Sequence, residues 1–159
     1  MTLEKSATLE ALIRGLMPDL LRYFVRRLAD REDAADALSE TLIVLWRKQR
    51  TLPSDEEGCR RYAFGVARNV LAAARRGRLK HRAIADALAL ELAAPVEHES
   101  DPDLEAALKG LPEKDRELIL LVAWEGFGVA EAGAVMGLKP DASRARYSRA
   151  RAKLRETLN

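Results

Sequence analysis

Between Arg144 and Arg155 the chain carries six basic side chains, Arg144, Arg146, Arg149, Arg151, Lys153 and Arg155, and no acid. An arginine fork donates two parallel hydrogen bonds to a phosphate or to the acceptor edge of a guanine, so the chemistry of such a cluster is recognition rather than bond making. At 100° per residue, Tyr147, Ala150, Leu154 and Leu158 share one stripe. Arg144, Arg151 and Arg155 line one flank of it, and Arg146, Arg149 and Lys153 the other. The run reads as an amphipathic helix with a core-facing side and basic flanks. Ahead of it, Val129 to Met136 makes a second short helix, and Gly137 can take the left-handed conformation of a tight turn. Helix, glycine turn and basic helix form the pattern of a helix-turn-helix whose second helix reads base edges in a major groove. A merely solvated helix, or one lying on a membrane, would carry the same charges. The apolar side here, one Tyr, two Leu and several Ala, is too slight for a bilayer interface.

A second basic segment lies in mid-chain: Arg60, Arg61, Arg68, Arg75, Arg76, Arg78, Lys80 and Arg82, again with no acid among them. Tyr62, Phe64 and Asn69 are interleaved with it. Aromatic rings stack on unpaired bases and an Asn can bond a base edge, although Phe64 is better placed as a core residue. Eight basic residues without an acid favour phosphate contact over a solvated helix end for Arg75, Arg76 and Arg78. From Asp86 to Glu105 the sign reverses, with seven acids and no Lys or Arg. The formal net charge of +2 therefore hides strong segregation.

Other chemistries find little support. No nucleophile, base and orienting group stand at a recognisable spacing, and no glycine-rich phosphate loop is present, so the sequence does not read as an enzyme. Cys59 is the single cysteine, which excludes an internal disulfide. With His81 and His98 it makes no credible metal set, and no cofactor is expected. Its place before Arg60 and Arg61, near a helix start, would favour the thiolate. No stretch approaches a membrane span, and Met1 to Leu21 carries acids and a proline where a signal peptide would be apolar, so a cytoplasmic location is expected.

The elements that must position these residues are helical. With 48% hydrophobic and 33% charged residues, few β-branched, the composition suits a globular all-α fold. The pattern predicts helices over Leu3 to Met17, Pro18 to Leu28, Asp33 to Lys48 and Cys59 to Arg76, with Thr51 to Gly58 as a loop. Ala34, Leu38, Leu42 and Leu45 should face a core, and Asp30, Glu32, Asp33 and Asp36 crowd one helix N-terminus, where the macrodipole favours them. Tyr62, Val66, Asn69 and Val70 fall near one face of the next helix. Pro95, Pro102 and the acids between them read as a flexible linker. Beyond it come helices over Leu104 to Lys109 and Pro112 to Trp124, then the helix-turn-helix. Two small helical domains result, 1–82 and 104–159, joined by an acidic linker, 83–103.

Four stretches, in order along the chain, resemble the extracytoplasmic-function (ECF) sigma factors, the two-domain promoter-recognition subunits of bacterial RNA polymerase. Asp30 to Leu42, continuing to Leu45-Trp46, is similar to the helix that grips the polymerase clamp. Tyr62 to Val70, with Arg75-Arg76 behind it, is similar to the helix that opens the minus-ten element. Leu111 to Glu117 resembles the start of the fourth conserved region, and Arg144 to Arg155 the minus-thirty-five reading helix. Departures fall at Ala35, Ser39 and Tyr62, and in the helix-turn-helix at Ala132-Gly133 and Ala142-Ser143.

The resemblance implies an assignment for each surface. Asp33, Asp36 and Glu40 would dock on core polymerase, with Leu38, Leu42 and Trp46 holding their helix to its own domain. Arg61, Tyr62, Arg68, Asn69, Arg75 and Arg76 would bind the minus-ten element, and Thr51 to Glu57 would be its specificity loop. Arg144 and Arg149 would contact guanine at the minus-thirty-five element with Ser148 between them, while Arg146, Arg151, Lys153 and Arg155 hold phosphates. The implied partners are core RNA polymerase, promoter DNA and an anti-sigma factor. Two rival readings stand beside this one. A sigma-like partner-switching mimic has no need of the basic segments, and a helix-turn-helix repressor leaves Arg60 to Arg82 and the acidic stretch unexplained.

Overall fold

A computed structural model describes residues 2–77 and 101–159, with side chains from residue 8 onward. These residues hold seven helices and no strand. The chain divides into two compact units between Val96 and Glu97. The expected linker, 83–103, lies outside the described residues as far as Ser100, as do Arg78, Lys80 and Arg82.

In the first unit α1 (Thr2–Arg27), α2 (Arg31–Arg47) and α3 (Glu56–Arg75) pack on one another in every pairing. Two helices were expected across Pro18, and there is one. Pro18 removes one N–H from the ladder, but its ring is exposed, and the helix is held on both sides of it by burial. Ile13 and Leu16 are buried before the proline, Leu20, Leu21, Tyr23 and Phe24 after it. Tyr23 meets Phe24 and Phe64 edge-on, with ring centroids 5.2 and 5.5 Å away.

Asp30 caps α2, accepting from the Glu32 amide at 2.9 Å, and so starts the helix two residues before the expected Asp33. Ala34, Leu38 and Leu45 are buried as their spacing requires, and Leu42 is half-buried. Trp46, expected to anchor the helix, is 49% exposed. Leu38 and Leu45 set the inward line, and Trp46 follows Leu45 by 100°, which carries it off that line.

Helix α3 starts at Glu56 rather than Cys59, because Asp55 Oδ2 accepts from the Gly58 amide at 2.8 Å and fixes the first turn there. A Cβ on Gly58 would fall 2.7 Å from Asp55 Oδ1 and 2.9 Å from Pro53 Cβ, so the cap closes only over glycine. Its inward line is Cys59, Ala63, Phe64, Ala67, Val70 and Leu71. The face expected to join Tyr62, Val66, Asn69 and Val70 is split: Val70 points in and Asn69 is exposed.

The second unit holds α4 (Pro102–Lys109), α5 (Glu113–Ala123), α6 (Val129–Val135) and α7 (Pro140–Leu158), and α7 packs on all three others. Leu108, Leu111, Ile119, Leu120 and Ala150 form a core cluster, flanked by Leu104, Trp124, Tyr147 and Leu154. Leu158, expected on the same stripe, is 45% exposed at the helix end.

Candidate nucleic-acid interface

The turn that aims α7 is built from backbone bonds. The Leu138 amide donates to Gly133 O at 2.7 Å and the Gly137 amide to Ala134 O at 3.1 Å, the paired bonds of a Schellman motif, with Gly137 at φ 77°. Pro140 then opens α7 at a position where its missing N–H costs nothing. Ser143 is fully buried, and its Oγ donates to Lys139 O at 2.9 Å. The two departures in this motif fit each other. A Cβ on Gly133 would overlap Ser143 Oγ and lie 2.5 Å from Ser143 Cβ, so the glycine is the notch that receives the serine.

On α7 the buried Ala150 and the half-buried Tyr147 and Leu154 turn inward, which leaves Arg144, Ser148, Arg149, Arg151, Lys153 and Arg155 exposed. Arg144 pairs with Asp141 at 3.2 Å on the open surface, an ion pair worth little in water. Arg146 differs from its neighbours. Its Nη1 donates to Asp115 Oδ1 of α5 at 2.8 Å, with the two side chains only 31% and 18% exposed. A phosphate contact was expected of Arg146, and its guanidinium is instead joined to the other helix.

The residues expected at the minus-ten element fall into two rows along α3. Arg61, Arg68 and Arg75 stand seven residues apart, and so do Tyr62, Asn69 and Arg76. Seven residues are nearly two turns, so each row runs along the helix with about 10 Å between members. Gly65 and Ala72 lie between Tyr62, Asn69 and Arg76 and keep that row shallow. Arg61, Asn69, Arg75 and Arg76 are exposed; Tyr62 and Arg68 are half-buried. Phe64 is fully buried, as expected. Arg60 is structural: it donates to Asp19 Oδ2 of α1 at 2.8 Å and lies 4.9 Å from the Phe64 ring centroid. Asp19 also binds Arg22, so one carboxylate ties α3 to α1.

The acidic set on α2 is only partly presented. Asp33 and Glu40 are half-buried, but Asp36 is 5% exposed. Helix α2 packs along both α1 and α3, so the run Ala34 to Ser39 is buried as a whole and Asp36 is taken in with it. Asp36 thus offers almost no surface for direct docking on another protein in this conformation. Trp46, by contrast, offers an aromatic surface that periodicity did not reveal.

Cys59 is fully buried. Burial pushes its thiol up from the ordinary 9.0, and the charge of Asp55 pushes in the same direction. The thiolate suggested by Arg60 and Arg61 is thus disfavoured, because Arg60 is engaged by Asp19 and Arg61 is exposed. Among the described residues there is no group of three or more His, Cys, Asp or Glu able to hold a metal ion, and no helix long and apolar enough to cross a membrane.

The family model for sigma-70 region 2 matches residues 12–80, and that for sigma-70 region 4 matches residues 102–154. A curated relative, the ECF RNA polymerase sigma factor SigE of Mycolicibacterium smegmatis, is 31% identical over 159 residues, covering 94% of this chain and 61% of the relative. The chain belongs to the sigma-70 family. It spans about three fifths of the length of that relative. Two solved structures are similar. One is the sigma factor RpoE in complex with the anti-sigma factor NepR from Bartonella quintana, with TM-score 0.62 and 27% identity over 90% of this chain and 92% of that one. The other is CnrH in complex with the cytosolic domain of CnrY, with TM-score 0.64 and 26% identity over 94% and 86%. The region 2 match takes in most of α1 and all of α2 and α3; the region 4 match takes in α4 to α6 and most of α7.

Proposed function

We propose that this chain is an ECF sigma factor that binds core RNA polymerase and directs transcription from promoters whose upstream element is read by α7 and whose downstream element is opened on α3. The observation that carries this reading is the pair of exposed basic surfaces, one in each unit, where region 2 and region 4 of the family fall. On α7, Arg144 and Arg149 read base edges with Ser148 between them, and Arg151, Lys153 and Arg155 hold phosphates. On α3, the row Arg61, Arg68 and Arg75 follows the backbone of a separated strand, while Tyr62 and Asn69 meet its bases. Opening the duplex makes and breaks no covalent bond. It needs only that unpaired bases be held well enough to offset a few kcal/mol of lost stacking and pairing. Asp33 and Glu40 face the polymerase, and the exposed Trp46 adds a desolvating contact of the kind that dominates interfaces.

One solved relative is bound to an anti-sigma factor, which supports such a protein as the natural regulator here as well. The chain acts in the cytoplasm, where core polymerase and promoters are. Run-off transcription with purified core polymerase on a genomic fragment library tests the reading. Discrete start sites dependent on the added chain are expected, and lost when Arg61, Arg68 and Arg75 are all changed to Ala. Core binding without any start site, unaffected by those changes, would favour the partner-switching mimic.

A further inference from the structure

Arg146 belongs to the basic flank of α7 by sequence, yet its geometry sets it apart. It lies about 40° from Ala150, a buried residue of that helix, and about 60° from Arg149. Its guanidinium is 2.8 Å from Asp115, three residues into α5 from the capping Pro112, where the helix N-terminus favours an anion. Asp115 is 18% exposed, whereas Asp141, the partner of Arg144, is fully open to water. A phosphate can therefore draw Arg144 from Asp141 at little cost, but drawing Arg146 from Asp115 would strand a half-buried carboxylate.

We propose that Arg146 is a positioning residue of the reading helix: held by Asp115, it fixes the roll of α7 and thereby the direction in which Arg149 meets a base edge. The proposal rests on α7 reading DNA. At an outer radius of about 5–6 Å, a roll of only 10° displaces a side chain at the helix surface by about 1 Å, and more at the tip of an extended arginine. A bidentate contact tolerates little of that, since hydrogen bonds weaken steeply once distance and angle are lost. Ser143 in its Gly133 notch sets the depth of the helix near its N-terminus, one turn before Arg146. The two contacts act on different helices, α6 and α5, and together leave α7 neither depth nor roll to vary.

A phosphate contact and a positioning contact predict opposite signs for Asp115→Asn. The full chain, with core polymerase, is titrated with a duplex selected from a random pool by the wild-type holoenzyme and with a scrambled duplex of equal length, at several salt concentrations. We expect Arg146→Ala and Asp115→Asn each to lower the preference for the selected duplex about tenfold. The double variant should do no worse than either, and the salt slope should stay within about 0.3 of wild type. Tighter binding to both duplexes in Asp115→Asn, with about 0.9 lost from the slope in Arg146→Ala, would overturn the proposal and make Arg146 a phosphate contact. The Arg146 Nη1–H signal of the free wild-type chain, which needs no folded variant, is the second measurement. Slow exchange of that proton with solvent, persisting on addition of the selected duplex, supports the pair, and rapid exchange in the free chain overturns it. Absence of any duplex preference in the wild type would count against the proposed function, while the exchange measurement would still decide the pair.

Discussion

Arg149 and Lys153 stand four residues apart on the exposed side of α7, and what separates them is the chemistry of the head group. A planar fork can match O6 and N7 of one guanine, and an ammonium is a point charge suited to any phosphate. Ser148 and Ala145, the small residues around Arg149, leave room for close approach. Arg149→Ala should therefore cost about 1–3 kcal/mol and relax preference at one or two upstream positions, while Lys153→Ala weakens all sequences alike and takes about 1 from the salt slope. Competition binding of the full chain with core polymerase at two salt concentrations separates them; equal, sequence-independent losses would make Arg149 one more phosphate contact. Cys59 supplies a residue-scale test in the first unit. Its thiol keeps its proton in the fold above the ordinary 9.0, where an unfolded chain has lost it. The stabilising contribution is complete below that pH and is lost as pH rises through the raised folded value. Urea unfolding should show wild type and Cys59→Ala keeping a constant difference below pH 9 and the wild type losing ground above it. A difference that shrinks on acidification would reverse the assigned direction.

At the scale of elements, Gly133 makes the sharpest demand. Adding one methyl there drives α6 from α7, because Ser143 already fills the notch and its Cβ cannot retreat without moving the helix. Gly133→Ala should destabilise the second unit by about 1–3 kcal/mol despite the better helix propensity of alanine, and adding Ser143→Gly should recover part of the loss. Thermal unfolding followed by Trp124 fluorescence reads this unit, and an unchanged or raised midpoint in Gly133→Ala would show that the notch can open. This pair also marks the limit of what the sequence could tell. The turn at Gly137, the proline start of α7 and the inward Ala150 follow from local rules, and all are present. Gly133 and Ser143 looked like two separate departures, because a contact between helices ten residues apart leaves no periodic trace. The same holds for Arg146 and Asp115, thirty-one residues apart, and for Arg60 with Asp19, forty-one apart. Asp36 and Trp46 were exchanged between inside and outside because spacing defines a stripe but not how far a second packed helix widens it. Pro18 suits the first turn of a helix by local rules, while the burial on both sides that carries α1 through it is tertiary.

For the whole molecule, the proposed function divides one promoter between two units, each with its own core, so a change in one surface should leave the fold of the other intact. The loop before α3 offers the downstream half of the test, and the structure limits how much of it can be exchanged. Asp55 caps α3 and Glu56 and Glu57 form its first turn, so only Thr51 to Ser54 can be replaced from another ECF sigma factor without loosening the helix that carries Tyr62 and Asn69. That graft should change the preferred downstream base and spare the upstream element, because a base held outside the stack is read by pocket shape and edge contacts. Arg149→Ala should do the reverse. Combined, the two should shift initial run-off rates on a two-by-two set of promoters by the sum of their separate effects, within about 0.5 kcal/mol, as independent sites do. A coupling term above about 1 kcal/mol, with both units still folded, would mean that α7 does more than anchor the protein upstream: strand opening on α3 would then depend on which sequence α7 holds, and the two surfaces would act as a single reader.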